Sequence, residues 1–195
     1  MFGNKIVVSK EQKELAVGIA KYEGSNESDI SYDIIEFGII FLIALSRERI
    51  KGERGGDISV MKAIETWKED ADRIGFSDAV VKFMNLENKK NYIGNMNWLA
   101  TFTGIHTLNV AEEQKYTIQK SAQATKIPER TIGHCVFESG IAFMMLVGSS
   151  ADEIKDTIRQ WTYDEDIMVI AHNLRDAYDA DMDDATPIEY GDEGY

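Results

Sequence analysis

Two stretches decide the reading of this chain: Ile34-Ile35-Glu36-Phe37-Gly38-Ile39-Ile40-Phe41 and, 102 residues on, Val136-Phe137-Glu138-Ser139-Gly140-Ile141-Ala142-Phe143. Each is a strongly apolar run with one carboxylate two residues ahead of a glycine. Sliding the sequence on itself by that spacing also superposes Val8 on Val110, Glu11-Gln12-Lys13 on Glu113-Gln114-Lys115, Ala20 on Ala122, Glu27 on Glu129 and Ile30 on Ile132. About eleven identities in about 38 ungapped positions stand against two or three by chance, which points to an internal repeat. A second offset of 94 aligns Val60 with Ile154, Ile64 with Ile158, Trp67 with Trp161, Asp70 with Asp164 and Asp72 with Asp166. The change of offset falls where Ser46 to Gly56 in one half faces only Gly148-Ser149-Ser150 in the other, and loops are where copies diverge most easily.

Around these stretches the apolar spacing is three and four residues, and Pro128 and Pro187 are the only prolines in 195 residues. Both features favour helices over strands. The expected fold class is therefore all-α, a tandem duplication of a three-helix unit packed into one compact protein about a pseudo-twofold axis. In the first unit, Ser9 caps a helix to Tyr22, a second helix runs from Ser28 to Ile50, and Asp57 caps a third to Gly75, with a short helix from Ser77 to Leu86 after it. In the second, Asn109 and Glu112 form a capping box for a helix to Thr125, Ile127-Pro128 opens another that ends at Gly148, and Ser150 with Glu153 starts a last one to Tyr178. The expected units are residues 1–94 and 105–178, joined by an Asn- and Gly-rich linker and followed by an acidic tail, residues 179–195.

Composition narrows the function classes. At 44% hydrophobic and 28% charged residues the chain can bury a real core, and a net charge of −13 disfavours a phosphate backbone as partner. Cys135, the only cysteine, sits in an apolar run and reads as a buried hydrophobe, so a disulfide or zinc framework is not expected. The apolar runs fall short of the roughly 20 residues that span a bilayer. Only three apolar residues follow Met1 to Lys5, so neither a signal peptide nor a membrane partner is expected, and the address is cytoplasmic.

Glu36 and Glu138 are the most pointed residues, because a carboxylate inside an apolar helix is costly unless paired. They suggest two equivalent polar sites for a small ligand or a catalytic group; the plainer reading is packing, with each Glu accepting a hydrogen bond from the indole of Trp67 or Trp161. The stretch from Ala122 to Ile132 has helix-turn-helix spacing, which would make Lys126, Arg130 and His134 DNA contacts, but the corresponding Asn26-Glu27-Ser28-Asp29 would repel phosphate. Asp179, Asp181, Asp183 and Asp184 imitate the start of a calcium loop without its glycine or its final Glu and read instead as a solvated, partner-binding tail. No metal, cofactor or catalytic constellation is expected. The leading expectation is a non-enzymatic acidic interaction module, an adaptor, inhibitor or assembly subunit, that meets a basic surface on another protein. A transcription-related helix-turn-helix protein is the alternative, and a ligand binder or enzyme using Glu36 and Glu138 the third.

Overall fold

A computed structural model of the chain describes residues 4–48, 60–87, 89 and 104–184. In chain order the elements are β1 (Asn4–Val8), α1 (Lys10–Glu23), α2 (Glu27–Glu48), α3 (Val60–Trp67), α4 (Ala71–Leu86), β2 (His106–Val110), α5 (Glu112–Thr125), α6 (Glu129–Val147), α7 (Ala151–Thr162) and α8 (Glu165–Asp184). The protein is predominantly helical, and no described helix is long and apolar enough to cross a membrane.

The all-α expectation needs one correction, because β1 and β2 form a small antiparallel sheet centred on the pair Ile6 and Leu108. Ile6, Val8 and Leu108 point into the core while Lys5 and Asn109 point away. Five residues of such alternation are too few to be read locally, and the partner strand lies a hundred residues off. Asn109 is therefore a strand residue and not a helix cap; its side chain donates to the Ser28 hydroxyl at 3.1 Å, while Ala111 occupies the N-cap of α5. The expected cap at Ser9 is present, as a box with Gln12, and so is the expected box of Ser150 with Glu153.

A second correction concerns the helices after each apolar run. Both were read as continuous through the Trp-x-x-Asp-x-Asp pattern, and both break there. Asp70 accepts from the backbone N–H groups of Asp72 and Arg73 at 3.0 and 3.3 Å, and Asp164 from those of Asp166 and Ile167 at 3.1 Å each. These carboxylates compete with the helix for its own donors, stop one helix and start the next. The stretch after Ser150 thus holds two helices where one was expected, and in the first half the break expected after Gly75 falls instead at Asp70, so that α4 runs unbroken from Ala71 to Leu86. The Asp57 cap, the loop 51–56 and most of the linker lie outside the described residues.

At the centre α2 crosses α6, which is buried at every residue from Ile132 to Met144. A Cβ on Gly38 would stand 1.9 Å from the carbonyl oxygen of Val136, and one on Gly140 would stand 1.9 Å from that of Ile34. The two backbones are in direct contact, and each glycine hydrogen that replaces Cβ points at a carbonyl, a weak attraction. At one end of the crossing, Phe37, Phe41 and Phe143 pack with Trp67 and Trp161, with edge-on contacts at 4.3 Å between Phe37 and Trp67 and 4.8 Å between Phe41 and Trp161. Cys135 is buried and hydrogen-bond distance from Ser139; burial pushes its thiol far above the ordinary range, so it holds no thiolate near neutral pH.

Adding one methyl at the crossing therefore forces the central helices apart. Gly38→Ala and Gly140→Ala are each expected to lower unfolding free energy by about 3 kcal/mol or more. Gly24→Ala, at a left-handed helix end with open space around it, should cost only about 1–2 kcal/mol. Urea denaturation of the three variants checks the order. Cys135 should stay unmodified by a thiol reagent in the native protein and react at once in denaturant.

Candidate functional site

Gln12 and Gln114 organise the polar groups of the interior. Each sits at the third position of its helix, where its side-chain oxygen accepts the N–H of the N-cap residue, Ser9 or Ala111, at 3.1 Å. The amide nitrogen is then aimed across the fold. Gln12 Nε2 donates to Glu138 Oε1 at 2.7 Å and to the His134 carbonyl at 3.1 Å. Gln114 Nε2 donates to Glu36 Oε2 at 3.1 Å and to the Tyr32 carbonyl at 3.0 Å. The ion pairs Lys13–Glu27 and Lys115–Glu129 tie down the same helix starts.

Each glutamate is thus met by a glutamine amide, and Trp67 does not supply the indole bond expected for its half. Trp67 Nε1 is buried without a hydrogen-bond partner, its ring face covered by the Arg73 guanidinium at 4.1 Å, and Trp161 packs on Phe41. Both tryptophans serve core packing. The glutamines escaped the sequence reading because Gln is common on helix surfaces; the signal was their place in the Glu-Gln-Lys triplet that recurs at the same spacing as Glu36 and Glu138.

The two networks differ in their surroundings. Glu138 is only 6% exposed. Glu36 is partly exposed and lines a half-open groove of about 480 Å³ between α2, α3, α5 and α8. Ile39, Ile40, Ile43 and Ala44 form its floor; Tyr32, Glu113 and Gln114 lie with Glu36 at one end, and Arg47 and Tyr178 at the other. Two of the lining positions differ from their counterparts in a way that bears on the opening. Where the groove has Thr117 and Tyr178, the residues 102 and 94 positions earlier are Leu15 and Met84, both buried, whereas Tyr178 is 43% exposed. A smaller side chain and one turned outward leave the space open.

Carboxylates crowd the Glu36 end. The Glu36 charge, followed by burial and the charges of Glu113 and Asp33, raises the Tyr32 hydroxyl above its usual titration range. Burial, then Asp29 and Glu36, hold the Asp33 carboxyl above the usual carboxylate range, with Arg73 opposing them.

The other sequence-derived candidates scatter. Lys126 and Arg130 are exposed at the α5–α6 turn, where Lys126 closes α5 in a left-handed conformation, φ 59°. His134 is 7% exposed in the core and cannot reach a DNA groove, which removes it from the proposed contacts. Asp179, Asp181, Asp183 and Asp184 lie within α8, which runs on past the expected helix end at Tyr178, and Asp179 is 3.4 Å from Arg47. Among the described residues, no three His, Cys, Asp or Glu side chains converge as a metal site. In comparisons with protein-family models, curated proteins and solved structures, the chain matches none.

The unequal surroundings give unequal costs. Gln12→Ala leaves a buried carboxylate short of a donor and should cost about 2–4 kcal/mol; Gln114→Ala should cost about 1, because water entering the groove can replace the lost donor. Paired thermal melts test this. For Asp33, a carboxyl held above its unfolded value means that the native state binds more protons, so its contribution to stability falls as pH rises from about 3.8. Asp33→Asn should raise Tm at pH 7, and the gain should vanish below pH 3.8.

Proposed function

We propose that this chain is a duplicated, cytoplasmic, non-enzymatic interaction module whose acidic face binds a basic surface of a partner protein. The observation that carries the reading is the run of carboxylates along the first half of α2 and at the start of α5: Glu36, Glu113 and Asp33 raise the proton affinity of Tyr32, and Asp29 and Glu36 add to the effect of burial on Asp33. Such a field speeds encounter with a cationic surface and selects against an anionic one. It also weighs against the helix-turn-helix alternative, in which phosphates would approach a chain of net charge −13 with Lys126 and Arg130 as the remaining contacts.

Duplication is part of the proposal. One 102-residue shift converts each half of the pairing into the other: Gln12 with Glu138 into Gln114 with Glu36, Gly38 with Val136 into Gly140 with Ile34, and the strands onto each other about Ile6 and Leu108. That reciprocity is what a twofold dimer has, so the chain reads as such a dimer joined into one polypeptide.

The test is affinity capture from host lysate after nuclease treatment. A stoichiometric protein should be retained at low salt and lost at high salt. It should fail to bind Asp29→Lys/Asp33→Lys/Glu113→Lys yet bind Asp152→Lys/Asp156→Lys, whose charges lie on α7. Retention by the first variant equal to wild type, or capture only of nucleic acid before nuclease treatment, would overturn the reading.

A further inference from the structure

The groove beside Glu36 has a shape that narrows its occupant. Glu36 and Arg47 are eleven residues apart on α2, about 16 Å along the axis at 1.5 Å per residue. A volume of about 480 Å³ along that length has room for a single aliphatic chain.

Its polarity is equally specific. The floor of Ile39, Ile40, Ile43 and Ala44 offers no hydrogen bond from a side chain. At one end Glu36 receives, among the described residues, only the Gln114 bond on Oε2, and Glu113 adds a second negative charge. At the other end the cation, Arg47, already stands beside the Asp179 carboxylate at 3.4 Å. The net unmet charge is negative and lies at the Glu36 end.

We propose that this groove is a binding site for a single-chain aliphatic amine, with the ammonium against Glu36 Oε1 and Glu113 and the chain along Ile39, Ile40 and Ile43. The ammonium end shares Glu36 and Glu113 with the acidic face proposed above, whereas the apolar length along Ile39, Ile40 and Ile43 belongs to the groove alone, and titration of the isolated chain reads the groove without any protein partner. At the positions 102 and 94 residues before Thr117 and Tyr178 stand Leu15 and Met84, both buried, and Glu138 is itself buried.

The test is isothermal titration of the full chain with hexylamine, octylamine and decylamine below their micelle-forming concentrations, with decanoate and decanol as controls. One molecule should bind saturably. Affinity should rise about tenfold with each added pair of methylenes, as burial of an alkyl chain requires. Decanoate should bind at least about tenfold more weakly than decylamine. Glu36→Gln keeps the Gln114 bond and should weaken decylamine about tenfold while leaving decanol unchanged. Ala63→Phe, on a partly exposed lining position, should block all three amines without lowering Tm; Thr117→Leu, which copies the sealed half, serves as the second blocking variant. No saturable binding of decylamine, equal binding of decylamine by Glu36→Gln, tighter binding of decanoate, or unchanged binding by both filled variants would each overturn the proposal.

Discussion

The distance between α2 and α6 governs this structure. Gly38 against the Val136 carbonyl and Gly140 against the Ile34 carbonyl bring two backbones to a separation that no side chain at either position permits. With the central helices that close, Gln12 and Gln114 can span from the starts of α1 and α5 to the glutamates on the opposite central helix. The same separation lets Phe37 and Phe41 interleave with Phe143. The strands β1 and β2 then pair across the top, closing the edge that each alone would leave open. Loss of either glycine contact would disturb each of these layers, because all are registered on one crossing.

Given that crossing, the difference between the two glutamates follows from the size of one lining side chain and the direction of another. Both carboxylates sit two residues before the close contact and both are met by a glutamine amide. Leu15 and Met84 stand buried at the corresponding positions and Glu138 is itself buried, so that carboxylate must rely on fixed donors. Thr117 and the outward-turned Tyr178 leave Glu36 beside an open apolar channel. One arrangement of backbone and hydrogen bonds thus serves structure on one side and leaves a binding opportunity on the other.

The recurrence of residues at fixed spacing made much of this visible in the sequence. Gln12, Lys13, Glu27, Glu36, Gly38 and their equivalents 102 residues on are the residues that make the contacts between or within the helix starts and the crossing. The helical content, the apolar helices α2 and α6, the Ser9 and Ser150 caps and a buried Cys135 were legible because each depends on neighbours in sequence. The sheet was not, since five-residue strands gain stability only from a partner a hundred residues away. Asp70 and Asp164 were read as parts of continuing helices because a mid-pattern Asp looks the same whether it faces solvent or captures the next two N–H groups. The groove could not be read at all: it arises from a Thr on α5 and a Tyr on α8 that approach α2 only in the folded chain.

The claim that one glutamate is sealed and its counterpart open can be put directly to hydrogen exchange of the two glutamine side-chain amides, followed by NMR in the native protein. Both Nε2 groups make the same bonds to a carboxylate and a carbonyl, so a difference between them reports water access and little else. The account requires Gln114 Nε2–H to exchange at least about tenfold faster than Gln12 Nε2–H, because water enters by the groove without global unfolding. Equal protection of the two amides, or faster exchange at Gln12, would contradict it.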